Sequence, residues 1–381
     1  MTESNIPWRA FIASGVAALA TVTAVPAQAA EAADGWQRAT GPAGSDVFVE
    51  DLAATGPNDL WAVGGRGGQE PTRRPVTARF DGHKWTSYPV KGGGDEWFTD
   101  VSGIGRELWA TPRISKRIYR FSGGAWLPQP VARVAEGELG LSAVKVFGPR
   151  NVWAAGAAYQ TEHGTCNAVV QHFDGRSWRN ILLPASDARC VAIDGLNGTG
   201  PNDLWAVGEE SGYGGGKHAW SPLALHWNGR DWRRVPVPTE HAGRLFNVEI
   251  VNGRPLAVGE SGLGLTGPLR PLAYGWNGRA WAAQPTPAIE GRIRSASSDG
   301  QGGAWAVGQV GGPLSTDEAG KPLVLHFDSK SWTRAETGAG FDAGALNSVV
   351  TLAGGRSFGA GTGSPSGFAG SGAALFAHYR G

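Results

Sequence analysis

Apolar residues along this chain come in short runs of strand length, and the runs repeat. Leu60–Val63 is continuously apolar and bounded by turn residues, the pattern of a strand covered on both faces. It lies within Gly-Pro-Asn-Asp-Leu-Trp-Ala-Val-Gly at Gly56–Gly64, which recurs letter for letter at Gly200–Gly208. Looser copies recur at intervals of about fifty residues, a period that signals a repeat architecture. Each unit reads as four strand-length segments. The first is mixed and apolar, as in Val49–Ala54, and the second is Leu-Trp-Ala-Val-Gly. The third ends in an aromatic, then Asp or Asn, then Gly. The fourth carries a Trp and usually ends in Pro, as in His83–Val90.

Three positional series agree on the number of units. Fourth-segment Trp residues are Trp36, Trp85, Trp126, Trp178, Trp232, Trp281 and Trp332. Second-segment positions are Trp61, Trp109, Trp153, Trp205, Leu256, Trp305 and Phe358. Third-segment aromatics are Phe80, Phe121, Phe173, Trp227, Trp276, Phe327 and Tyr379. Each series has seven members. Asp81-Gly82, Asp174-Gly175, Asn228-Gly229 and Asn277-Gly278 supply hairpin turns between third and fourth segments. Pro57-Asn58-Asp59 and Pro201-Asn202-Asp203 supply turns between first and second. Each unit is therefore expected to be a four-stranded antiparallel sheet. A sheet apolar on both faces needs neighbours on both sides, and a closed ring provides them without leaving two apolar ends. The expected fold is all-β: a seven-bladed β-propeller over residues 30–381. The last unit stops at Tyr379-Arg380-Gly381 without a fourth segment, while Trp36–Thr40 is a fourth segment with no preceding three. Trp36–Thr40 is expected to pair beside Ala374–Tyr379 and close the last blade.

The order of aliphatic-Trp-Ala-Val-Gly, then aromatic-Asp, then Trp resembles the repeats of kelch-like propellers. It is still more similar to the Asn-Asp-Leu-Trp-Ala-Val-Gly repeats of secreted bacterial propellers. The resemblance covers Trp36 to Gly381. Only the first unit keeps a kelch-type Gly pair, at Gly64-Gly65, and neither Cys sits in a motif matching a copper-enzyme member of that group. The resemblance implies the fold and carries over no active site.

Outside the repeats, the first 29 residues read as an export signal. A polar start with Arg9 precedes the apolar run Phe11–Val25, then Ala27-Gln28-Ala29 offers small residues for cleavage. The alternative is an uncleaved anchor. No other segment is apolar enough to span a bilayer, so no stable membrane insertion is expected after cleavage. Export places the mature chain outside the cell. There the two cysteines, Cys166 and Cys190, lean toward a disulfide, the alternative being two buried thiols. With 34 Lys+Arg against 33 Asp+Glu, no nucleic-acid partner is indicated. High Gly, Ala and Arg usage suggests a bacterial source of high GC content.

Function is expected on one face. Loops joining second to third strands, and fourth strands to the next unit, are long and differ in every unit, whereas the others are short and repetitive. Varied loops on a regular scaffold are where binding resides. Candidate ligand-binding residues on that face are Arg74, Asp95, Trp97, Arg113, Tyr159, Glu162, His163, Tyr213, Trp220, Glu240 and His241. Trp97, Tyr213 and Trp220 fall outside the repeat series, so a loop-borne ring is available to stack on a sugar or anchor a peptide. Each ring tucking against its neighbouring loop is the plainer alternative. Glu162-His163 and Glu240-His241 have the side chains of metal or acid–base sites but not a diagnostic spacing. His172, His226, His326 and His378 each precede a third-strand aromatic, which points to a scaffold role. No cofactor and no metal site are expected. Three functions compete. The first is a secreted non-enzymatic binding module for a glycan, cell-wall or protein ligand. The second is a secreted glycan hydrolase or lyase using mouth carboxylates such as Asp95, Glu162 or Glu210. The third is a protein-binding scaffold of the cell envelope.

Overall fold

A computed structural model describes residues 35–42, 46–67, 73–94, 96–113, 116–160, 162–212, 220–238, 242–262, 268–311, 320–363 and 374–380. The expected signal peptide, residues 1–29, lies outside the described residues. All described residues fall within the compact unit Asp34–Gly381, and every regular element among them is a β-strand.

Strand β1 is Gly35–Arg38. One sheet holds β2 (Val47–Gly56), β3 (Asp59–Arg66), β4 (Arg74–Phe80) and β5 (Trp85–Ser87). The next holds β6 (Phe98–Ile104), β7 (Glu107–Pro112), β8 (Arg117–Ser122) and β9 (Ala125–Pro130). The same order recurs in β10 (Glu138–Gly148), β11 (Asn151–Gln160), β12 (Thr165–Phe173) and β13 (Trp178–Ile181). It recurs again in β14 (Cys190–Gly200), β15 (Asp203–Ser211), β16 (Trp220–Trp227) and β17 (Trp232–Arg234). A single parallel bridge between Cys166 and Cys190 joins these two sets into one eight-stranded sheet. Then come β18 (Gly243–Val251), β19 (Arg254–Ser261), β20 (Arg270–Trp276) and β21 (Trp281–Ala283), followed by β22 (Gly291–Ser298), β23 (Ala304–Val310), β24 (Lys321–Phe327) and β25 (Trp332–Arg334). The last sheet is β26 (Ala345–Thr351), β27 (Ser357–Thr362) and β28 (Ala374–Arg380), completed by β1. Trp36 lies opposite Tyr379 in that final antiparallel pair, so the two ends of the described chain share one sheet.

The turns explain themselves from composition. Pro57-Asn58 forms a two-residue connection, with Gly56 opposite Asp59. Between third and fourth strands the connection is four residues. Asp81 accepts hydrogen bonds from the His83 and Lys84 backbone N–H groups, and Gly82 adopts a φ of 94°.

Indole rings hold each sheet against the next. A second-strand Trp meets the fourth-strand Trp of the following sheet edge to face. The pairs are Trp61–Trp126, Trp109–Trp178, Trp153–Trp232, Trp205–Trp281 and Trp305–Trp36, with ring centroids 5.1–6.1 Å apart and planes inclined by 77–87°. Where the second-strand residue is Leu256 or Phe358, the partner Trp332 or Trp85 shares the same apolar cluster. On its other side the second-strand Trp packs on a His, in Trp153–His172, Trp205–His226 and Trp305–His326. Those His rings bond in turn to Asn151 and Asp203, which open their second strands, and to Asp299 in the turn before β23. Arg79 and Arg120 fill the same place with Asp59 and Glu107. The repeated histidines are therefore scaffold parts.

The first strand of every set, β2, β6, β10, β14, β18, β22 and β26, packs against the next, and β26 packs against β2. No hydrogen-bonded sheet closes; these strands present free inner edges. Side chains satisfy them across the gaps. The residue after the bulge described below accepts from the next first strand's backbone N–H: Asp51 from Val101, Asp100 from Val144, Asn247 from Ala296, Ser295 from Val349 and Ser348 from Leu52. At the two joints where that residue is Ala143 or Gly195, other polar side chains bridge: Ser142 donates to the Ile193 carbonyl, and Asn197 donates to Glu249.

Two mutations test this packing. Trp36 is fully buried between Trp305 and Tyr379, so Trp36→Ala is expected to cost about 3–5 kcal/mol and lower the melting temperature by several degrees in calorimetry. At Gly208 an added Cβ would stand 2.0 Å from the Ala192 carbonyl oxygen. Gly208→Ala is expected to cost about 1–3 kcal/mol in urea denaturation, whereas Gly212→Ala, with open space around it, should leave the midpoint unchanged.

Candidate functional site

Each first strand carries a β-bulge at the same place. The pairing slips between Val49 and Asp51, Phe98 and Asp100, Leu141 and Ala143, Ile193 and Gly195, Leu245 and Asn247, Ile293 and Ser295, and Leu346 and Ser348. The extra residues are Glu50, Thr99, Ser142, Asp194, Phe246, Arg294 and Asn347. A bulge turns its additional side chain out of the pleat, and all of these line the axial space between the first strands. The glycine that closes each Trp-Ala-Val-Gly motif is the local counterpart. Gly64, Gly156, Gly208, Gly259, Gly308 and Gly361 sit opposite the residue before the bulge, where a Cβ would approach a first-strand carbonyl to 1.9–2.2 Å.

The axial space has two compartments. A narrow one of about 390 Å³ runs between the first strands past Asp51, Asp100, Lys145 and Glu249. Asp51 and Asp100 share a hydrogen bond; burial raises both carboxyls, and the charge of Asp51 raises Asp100 further. Burial also raises Glu249 and lowers Lys145. A wider mouth of about 730 Å³ lies where the second strands end. The bulge residues form its floor. Arg73, Trp97, Arg113, Tyr159, Glu209, Arg244 and Arg292 are among its walls.

Electrostatics in the mouth are dense. Glu260, 1% exposed, pairs with Arg244 at 2.8 Å and Arg292 at 3.4 Å. Arg244 also approaches Glu209 at 3.6 Å. Burial lifts Asp194 to about 6, and burial with the charge of Asp194 lifts Glu209 to about 7. Burial raises Glu50 as well and lowers Arg294, whose basicity the charge of Arg292 lowers further. Chemically the mouth offers guanidinium donors for anions and carboxyls that change charge near neutrality.

Among the residues anticipated from sequence, Trp97, Arg113 and Tyr159 come together in the mouth. Trp97 is not a displayed ring: it is 4% exposed, with Arg73 at 4.1 Å and Arg113 at 5.1 Å from its centroid. Tyr159 is 40% exposed and stands on β11, because the second strands run beyond the motif glycine. Arg74 is exposed and lies outside the cavity lining, donating to the Arg73 carbonyl. Glu162 and His163 are exposed beyond the end of β11. Trp220 opens β16 opposite Ser211, half-buried and away from the cavity. Asp95, Tyr213, Glu240 and His241 lie outside the described residues. Glu210 points away from the mouth and is held by Arg234 and Ser186, which keep its carboxyl below the ordinary range against burial. Cys166 and Cys190 are disulfide-bonded, at strand ends rather than in loops; Cys166 N–H bonds to the Arg189 carbonyl, so the crosslinked backbones pair.

The bulge residues escaped the sequence reading. One signal was present. They stand ten or eleven residues before the second-strand aromatic position, at a place in the first segment where no residue type recurs from unit to unit.

No protein-family model and no curated protein matches the sequence. Solved structures do. YCF48 bound to D1 peptide is similar at 15% identity over 92% of this chain and 98% of that one, with a TM-score of 0.57. The WD40 β-propeller domain of Doa1 is similar at 12% identity over 91% and 98%, with a TM-score of 0.56. Virginiamycin B lyase from Staphylococcus aureus is similar at 12% identity over 88% and 96%, with a TM-score of 0.56. These likenesses show that the chain folds as a β-propeller.

The raised mouth carboxyls set a pH dependence. Both are protonated below the ordinary carboxylate range whether the chain is folded or not. Between the ordinary carboxylate range and about 6 to 7 the unfolded chain has released these protons while the folded chain still holds them, so stability falls with rising pH until the folded carboxyls ionise too. The melting temperature is expected to drop between about pH 4 and pH 7 and to level off above it, and the double variant Asp194→Asn, Glu209→Gln to flatten that drop in thermal melts across the range.

Proposed function

We propose that this protein is a secreted, kelch-like, seven-bladed propeller of bacterial origin that acts as a non-enzymatic binding module, taking its ligand into the mouth floored by the bulges. One observation carries the reading. The turn, core-ring and motif-glycine positions repeat in kind, yet the bulge position holds two carboxylates (Glu50, Asp194), two hydroxyls (Thr99, Ser142), an aromatic ring (Phe246), a guanidinium (Arg294) and an amide (Asn347). The fold needs the bulge but not this variety. A ring of unlike side chains on equivalent backbone suits an asymmetric ligand read group by group. Export is supported by the signal-like N-terminus and by the Cys166–Cys190 bond, which belongs to oxidising compartments. A bound D1 peptide in the similar YCF48 structure is compatible with a protein ligand. A glycan or cell-wall ligand is the other option.

A hydrolase or lyase reading rests on a different observation, the pairing of Asp194 and Glu209 with carboxyls lifted toward neutrality. Virginiamycin B lyase among the similar structures is compatible with it. Glycan and peptide arrays, run beside a turnover assay on the same compounds, separate the two. The binding reading expects capture without turnover, and at least tenfold weaker capture by Phe246→Ala at an unchanged melting temperature. Turnover that disappears in Asp194→Asn or Glu209→Gln would establish the enzyme instead.

A further inference from the structure

We infer that the mouth takes an acidic peptide segment whose carboxylates are gripped by Arg113 and Arg294; this deepens the binding-module reading and rests on it. Five guanidinium groups line the cavity, from Arg73, Arg113, Arg244, Arg292 and Arg294. Four of them are backed by aromatic rings. Arg73 and Arg113 lie over Trp97 at 4.1 and 5.1 Å, and Arg244 and Arg294 lie over Phe246 at 4.5 and 5.3 Å. An aromatic ring against the guanidinium face fixes its plane and leaves the N–H edges for a carboxylate to meet in two parallel hydrogen bonds.

Arg244 and Arg292 are committed to Glu260. Arg113 and Arg294 are not committed in this way: among the described residues, neither guanidinium has a hydrogen bond or an ion-pair partner within bonding distance. Glu50 is the internal carboxyl that feels both charges, that of Arg294 most, but among the described residues it makes no hydrogen bond or ion pair with either, so their N–H edges stay open to a further carboxylate. Glu50, Glu138, Asp194 and Glu209 also line the mouth, so a ligand must place its negative groups selectively at the Arg113 and Arg294 positions.

The same geometry weighs against a sugar. Stacking a pyranose requires an open aromatic face, but Trp97 is buried and each of the two rings already carries two guanidinium groups. An extended peptide needs no ring face, and its side-chain carboxylates reach separate arginines.

The experiment is fluorescence anisotropy on the full exported chain with three labelled probes: hexaglutamate, hexaglutamine and an oligogalacturonate. Hexaglutamate is expected to bind at least tenfold more tightly than either other probe, and to weaken as salt rises. Arg113→Ala and Arg294→Ala should each weaken it at least tenfold. Arg294→Lys, which keeps the charge and loses the fork, should weaken it several-fold and serves if the alanine variant does not fold. Arg74→Ala, outside the cavity, should change nothing, and Glu209→Gln should tighten binding. Equal or tighter binding of oligogalacturonate, hexaglutamate affinity unaltered by the Arg294 variants, or no hexaglutamate binding would each overturn the inference. If hexaglutamate fails while an array compound binds and is lost in Phe246→Ala, the acidic-peptide assignment falls and the binding module stands. If no compound is captured and one is turned over, the binding reading itself falls.

Discussion

The structure depends on one contact made repeatedly: the edge-to-face meeting of a second-strand indole with the fourth-strand indole of the next sheet. Each sheet is apolar on both faces and has no stable existence alone, because the ring of its own Trp needs the neighbour's Trp to exclude water. The contact is directional. Five sheets give a Trp forward, Leu256 and Phe358 stand in at the other two, and each sheet receives a Trp in return, so adding sheets leaves an unmet ring until the first and last are joined. Trp36 meets that need at the Trp305 position, which is why a four-residue strand at the start of the described chain lies against the other end.

Closure creates a second requirement. First strands brought edge to edge around the axial space do not hydrogen-bond to each other along their length, and their inner N–H groups are costly if left dry. The bulge answers this. It places one extra residue in each first strand, pointing the following side chain across the gap as an acceptor for the next strand and the bulge residue itself into the axial space. The motif glycine is the steric consequence, since the crowded carbonyl before the bulge leaves no room for a Cβ. A scaffold device and the ring of side chains that lines the axial space are thus the same feature. The mouth chemistry follows from what occupies it: paired carboxyls shifted by burial, and arginines flattened against Trp97 and Phe246.

Legibility tracked the physics of each position. Strand count per unit, the turn residues, the indole series and the shared last sheet were readable, because turns and core aromatics are local or periodic constraints that leave marks at fixed spacing. Trp97 was marked as a departure from the repeat, and Arg113 and Tyr159 as members of the variable end, and all three line the mouth. Glu50, Asp194, Phe246 and Arg294 were not marked. Each sits in a strand-like stretch, where an alternating pattern predicts a face but cannot reveal that one residue has slipped out of register. Trp220 and Glu210 illustrate the converse: both belong to the variable end of a sheet by sequence position, yet the pleat carries them away from the axis.

Taken alone, the order of residues determined the repeat, the turns, the positions of the core rings and the pairing of the two chain ends, since all of these follow from local backbone preference and from apolar surface that must be buried. Which polar side chains converge, and with what charge, was decided only in three dimensions. Convergence on the axial space joins residues about fifty positions apart, and the degree of burial that shifts Glu209 and Asp194 or leaves Arg294 without a contacting anion is a property of the packed sheets rather than of any one segment.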